Sequence, residues 1–168
     1  MWCSDRRGFL RGGLGALALG GCGFQPLYDE GAAPSRMAGR VEVSIVEGGP
    51  GFALRERLTE RLGPATAPAY RLDVTLKLTR TGVALTQKNV TTRFDVIGTA
   101  EYTLVPLAGG TPVASGSVRT ITGYSAPESE TASAFASRAA ERDADRRLAV
   151  TLADQILQRL ALGAATWT

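Results

Sequence analysis

Residues Tyr70 to Arg80 read Tyr-Arg-Leu-Asp-Val-Thr-Leu-Lys-Leu-Thr-Arg, an alternation of apolar and polar side chains. Neighbouring side chains of a β-strand point to opposite faces of the sheet. A period of two therefore makes one buried face and one that meets water or a polar partner. We assign Arg71, Asp73, Lys77 and Arg80 to the polar face. The remaining elements must supply the layer that covers the apolar one.

They fall on both sides of this strand. Arg40-Val41-Glu42-Val43-Ser44-Ile45-Val46 alternates and reads as a first strand, broken at Gly48-Gly49-Pro50-Gly51. From about Phe52, Leu54, Leu58 and Leu62 recur every four residues and predict a short helix, stopped at Gly63-Pro64. A third strand is expected from about Thr92 to Pro106, with Phe94, Val96, Ala100, Tyr102 and Leu104 on one face. Gly109-Gly110 then predicts a hairpin turn into a fourth strand from about Thr111 to Tyr124. The last helix, roughly Thr131 to Leu162, carries the stripe Ala136, Ala140, Ala144, Leu148, Leu152, Ile156 and Leu160. Its first half is Ala-rich and charged. The order β-α-β-β-β-α, with a right-handed first crossover, predicts an α+β two-layer sandwich. It has a four-stranded mixed sheet with two helices on one face.

The N-terminus has the three parts of an export signal. Asp5, Arg6, Arg7 and Arg11 make a charged region. Leu14-Gly15-Ala16-Leu17-Ala18-Leu19 is an apolar stretch too short to span a bilayer, and Leu19-Gly20-Gly21-Cys22 follows. This last run resembles the lipobox of bacterial lipoproteins. It implies cleavage before Cys22 and acylation of its thiol. Each buried CH₂ of such a chain contributes about 0.8 kcal/mol, so two or three chains hold a protein on a membrane. Arg6-Arg7-Gly8-Phe9-Leu10 also resembles a twin-arginine signal, although Asp5 departs from it; the export route stays open. The expected organisation is signal 1–21, lipidated tether 22–38, one domain 39–163 and a tail 164–168.

Composition narrows the function classes. The 168 residues include no histidine and only Cys3 and Cys22, so imidazole and thiolate metal sites and Ser-His or Cys-His chemistry are not expected. No cofactor loop, paired catalytic carboxylates or catalytic residue is identified. The formal charge of +3 falls to +1 once three arginines and one aspartate of the signal are removed, which takes away the main support for nucleic-acid binding.

The stretch Cys22-Gly23-Phe24-Gln25-Pro26-Leu27-Tyr28 resembles the mature opening of the LptE family of lipopolysaccharide-assembly lipoproteins. Thr99-Ala100-Glu101-Tyr102-Thr103-Leu104 and the C-terminal pattern from Glu141 to Asp154-Gln155-Ile156-Leu157-Gln158-Arg159-Leu160 are also similar to that family. The resemblance implies a non-catalytic protein on the periplasmic side of the outer membrane. It implies a large outer-membrane β-barrel partner, LptD, which the protein binds, plugs and helps assemble. It also implies binding of lipopolysaccharide, whose phosphates suit arginine and lysine. By position, the implied lipopolysaccharide contacts are Arg93, Arg138 and Lys88, and the implied barrel contacts are Phe24, Leu27 and Tyr28. Two other readings compete: an accessory lipoprotein of a lipid-transport ABC system, and an enzyme exported in folded form.

Overall fold

The computed structural model describes residues 37–85, 91–126 and 133–164. The elements run β1 (Val41–Val43), α1 (Gly48–Leu62), β2 (Tyr70–Leu85), β3 (Thr91–Pro106), β4 (Ala114–Ser125) and α2 (Ser133–Gly163). The four strands form one sheet in the order β1-β2-β3-β4. β1 and β2 are parallel, with Val41 opposite Tyr70 and Val43 opposite Leu72. β2–β3 and β3–β4 are antiparallel. This is the expected mixed α+β sheet with two helices.

The core lies between the sheet and the helices. Val41, Val43, Leu72, Val96, Ala100, Tyr102, Leu104 and Val118 enter it from the strands. Leu54, Leu58 and Leu62 come from α1, and Ala144, Leu148, Leu152, Ile156 and Leu160 from α2. The predicted stripes of both helices and the apolar face of β3 therefore meet one another. Gly98, on the same face, explains how closely. A Cβ there would lie 2.2 Å from Leu148 Cδ2 and 3.0 Å from Leu152 Cδ1. The missing side chain lets α2 settle onto the middle of the sheet. Met37, two residues before the boundary placed at 39, is also buried in this core.

Four boundaries differ from expectation. β1 ends at Val43 rather than Val46, although Ser44 N–H still donates to the Leu72 carbonyl at 3.0 Å. α1 begins at Gly48, so the Gly-Gly-Pro-Gly run opens the helix rather than only ending the strand. Proline is tolerated in a first turn because its missing N–H has no intrahelical partner there. Gly51 is needed because a Cβ would sit 2.7 Å from the Val46 carbonyl oxygen. β2 continues past Arg80 to Leu85, with register shifts between Gly82 and Leu85 that local alternation does not encode. β4 starts at Ala114 rather than Thr111. Pro112 has no N–H to give, and Val113 is the first residue to donate, to the Leu104 carbonyl at 2.9 Å.

Candidate functional site

Period-two geometry gives the sheet a second face, which no described element covers. Its rows across the strands are Asp73–Thr103–Ser115, Thr75–Glu101–Ser117, Lys77–Thr99–Arg119, Thr79–Ile97–Ile121 and Thr81–Asp95–Gly123. The face is hydroxyl-rich, with charges of both signs spread across it. Arg71 Nε donates to Asp73 Oδ1 at 3.1 Å, and Lys77 Nζ stands 3.7 Å from Glu101 Oε1. These groups are about half exposed or more, so each pair adds little to stability. They make the surface hydrated and polar. The exception is the row of Ile97 and Ile121, the second of which is 58% exposed.

Arg71, Asp73 and Lys77 lie on this open face as expected, but Arg80 does not. Its even position puts it in line with Leu72, Val74, Leu76 and Leu78, on the helix side. There Arg80 Nε reaches Glu141 Oε1 at 2.9 Å and its Nη2 reaches Asp145 Oδ2 at 2.6 Å, both on α2. The alternation breaks at this residue, and the break was the signal for a cation facing inward. The cluster sits beside Tyr124, whose ring stacks on Phe94 with centroids 5.2 Å apart. Burial pushes the Asp145 carboxyl above its ordinary value; Arg80 opposes the shift and Glu141 adds to it. Asp145 Oδ1 is buried without a hydrogen-bond partner. Burial also raises the Tyr124 hydroxyl, with Glu141 adding to the effect.

The residues expected to contact lipopolysaccharide divide as follows. Arg93 is exposed on β3, opposite Ser125, and shares the open face with Asp95 beside Gly123. Arg138 is exposed on α2, one turn before Glu141. Both lie toward the end of the molecule that carries the β2–β3 connection. The sheet stands between them, so the structure does not bring them into one site. Lys88 lies outside the described residues, as do Cys22, Phe24, Leu27 and Tyr28.

At the opposite end, a cleft of about 580 Å³ opens between the C-terminal turns of the helices, lined by Met37, Leu62, Leu157, Ala161 and Leu162. Arg57 holds its rim through a fork to Asp154, with Nε to Oδ1 at 2.9 Å and Nη2 to Oδ2 at 3.3 Å. The hydrogen bond to Asp154, then that to Glu60, raises the guanidinium pKa further. Sequence analysis missed this pair, because it joins residues 97 positions apart. Among the described residues no group of three acidic or cysteine side chains could hold a metal ion, and no helix is long and apolar enough to cross a membrane.

The profile of the LptE family, described as lipopolysaccharide-assembly, matches residues 38–160. Three solved structures share the fold. A lipoprotein of Caulobacter crescentus is 23% identical over 79% of this chain and 96% of its own, with a TM-score of 0.63. Lipoprotein B of Nitrosomonas europaea is 14% identical over 85% of this chain and 93% of its own, with a TM-score of 0.57. The rare lipoprotein B of Shewanella oneidensis is 16% identical over 75% of this chain and 96% of its own, with a TM-score of 0.54. No curated protein sequence matches the chain.

Proposed function

Because the chain belongs to the lipopolysaccharide-assembly family LptE, we propose that it is a non-catalytic lipoprotein of the outer membrane. In this reading it is anchored on the periplasmic side through acylated Cys22. It binds, plugs and helps assemble an LptD-like barrel, and takes part in moving lipopolysaccharide to the outer leaflet. The observation that carries this reading is the polar face of the sheet, which no described element covers. The interior of a large outer-membrane barrel is polar and hydrated, so a plug must present hydroxyls and balanced charge rather than an apolar patch. The rows of Thr, Ser, Lys, Glu and Arg across β2, β3 and β4 have this chemistry. Phe24, Leu27 and Tyr28 are proposed to contact the barrel near the anchor. Arg93, Arg138 and Lys88 are proposed to meet lipopolysaccharide phosphates. Since the sheet separates Arg93 from Arg138, they serve two contacts along the path of the lipid rather than one clamp.

The test is affinity capture of the acylated protein from detergent-solubilised outer membranes, with mass spectrometry of what it holds. A large β-barrel at about one-to-one stoichiometry is the expected result. Recovery of an ABC transporter or its periplasmic subunit, with no barrel, overturns the reading in favour of an accessory lipoprotein of lipid transport.

A further inference from the structure

The cleft at the C-terminal ends of the helices has apolar walls and a polar rim. Met37 and Leu62 belong to the core, and Leu157 and Ala161 are partly buried against it. Leu162, on the same lining, is 77% exposed. The rim carries Arg57, Glu60, Asp154 and Gln158. Arg57 is fixed there by its fork to Asp154 and by a bond from Nη1 to Glu60 Oε2 at 3.0 Å. The occupant that suits such a cleft is a flat apolar group with one polar edge. Its body covers the apolar walls, its edge donates to an oxygen of the rim, and its face meets a cation. A hydrocarbon chain has neither the donor nor the π-face.

We propose that the occupant is Trp167 of this same chain. α2 ends at Gly163, and Ala164 is fully buried in the core. The backbone therefore leaves the helix against the fold and not in solvent. Trp167 follows three residues later, a reach of about 10 Å. That reach spans the last turn of α2, where Ala161 and Leu162 line the cleft. Few residues must lose their freedom for the ring to dock. The tether is the other segment of the chain that leads to the cleft. Its nearest aromatic residue, Tyr28, lies nine residues before Met37, so three times as much backbone would have to be ordered. An aromatic ring of this size buries about 150–250 Å². The indole N–H needs an acceptor when buried, and Glu60, Asp154 and Gln158 bring oxygens to the rim. Arg57 offers its guanidinium to the ring face, and tryptophan is the best aromatic partner for such a cation. Docking covers Leu162 and ties together the C-terminal turns of the two helices. It does not depend on the barrel reading: capture of a barrel can fail while this contact stands, and the reverse.

The test is tryptophan fluorescence of the full chain in detergent. The chain has two tryptophans, Trp2 and Trp167, so Trp2→Phe leaves Trp167 as the single emitter whether or not the signal is removed. Its emission should be blue-shifted. It should also be protected several-fold from acrylamide and from a brominated detergent, relative to the same chain unfolded in guanidinium. Ala161→Phe fills the cleft, and Leu162→Asp sets a carboxylate on its exposed wall. Each should move the emission to the red and remove the protection from acrylamide, with the circular dichroism spectrum unchanged. Leu162→Asp serves where the larger side chain at 161 disturbs the core. Emission of a water-exposed indole overturns the proposal. So does strong quenching by the brominated detergent, which places the ring in the micelle and leaves the cleft open to a lipid chain. Protected emission that neither substitution alters overturns it too, because the ring is then docked elsewhere.

Discussion

The two halves of α2 have the same four-residue repeat and opposite fates. From Ala144 onward the stripe is buried: Leu148, Leu152, Ile156 and Leu160 are each at most 1% exposed. Before Ala144, Ala136 is exposed, Ala140 is half-buried and Phe135 is 81% exposed. The helix has 31 residues, about 46 Å of length, and its first two turns find little to cover them. Side-chain size decides the difference. Leucine and isoleucine reach the sheet and α1, while an alanine stripe buries too little area to hold a helix down. Where the apolar grip ends, the Arg80–Glu141–Asp145 cluster takes over. Regular spacing therefore identifies a helix face without identifying what holds it.

The largest effect that could break this contrast is in the buried half. Leu152→Ala should destabilise the fold by about 3 kcal/mol in urea unfolding, because it opens a cavity beside Gly98. Phe135→Ala should change stability by less than about 0.5 kcal/mol. Equal losses from the two variants would show the first turns of α2 to be packed after all.

Next in size is the charged clasp. Arg80→Ala leaves two carboxylates facing each other, one of them with a side chain only 13% exposed. A cost of about 1–2 kcal/mol is expected. Faster amide exchange confined to the N-terminal half of α2 would locate the loss, whereas uniform acceleration along the helix would show that Arg80 supports the whole core.

A smaller, pH-dependent effect sharpens the same point. The folded chain keeps the Asp145 proton to higher pH than the ordinary value of 3.8. Between those two values the folded state binds more protons than the unfolded one, so stability falls as pH rises through that interval. Asp145→Asn removes this contribution. Unfolding of wild type and variant should therefore shift in favour of the wild type on acidification from neutral pH toward 4. Glu141, Arg80 and Tyr124 face the carboxyl and remain in both proteins. A constant difference across that range would show Asp145 to be fully hydrated.

The smallest stability effects are expected for Arg93→Ala and Arg138→Ala, each within about 0.5 kcal/mol, because both side chains are exposed. Their proposed role predicts weaker retention of lipopolysaccharide by the purified protein, separately for each residue and additive when combined. A loss from the pair no greater than from either alone would argue for a single shared site, which the intervening sheet opposes.

Much of the fold was legible because strands and helices write their period into neighbouring residues. The alternation of Tyr70 to Thr79 and the leucines of α1 needed no knowledge of their partners. The residues that misled were those whose local pattern has two outcomes. Gly48-Gly49-Pro50-Gly51 can end a strand or open a helix, and the close approach of Val46 to Gly51 chose the second. Arg80 was placed on the polar face by its charge, against its own parity, because its carboxylate partners lie more than 60 positions away. The proposed lipopolysaccharide contacts came from a family resemblance and not from any pattern in the residues. The described structure sets two of them on different sides of the sheet.

The identity and order of the elements, and the apolar faces of β2 and β3, were already written in the local pattern of residues. Those follow from short-range stereochemistry and from which side chains exist at all. That Gly98 admits α2 and that Arg80 turns inward to Asp145 became visible only in the packing of distant segments. Each of these depends on which distant segments come into contact, and contact across a fold is not encoded in the spacing of neighbours.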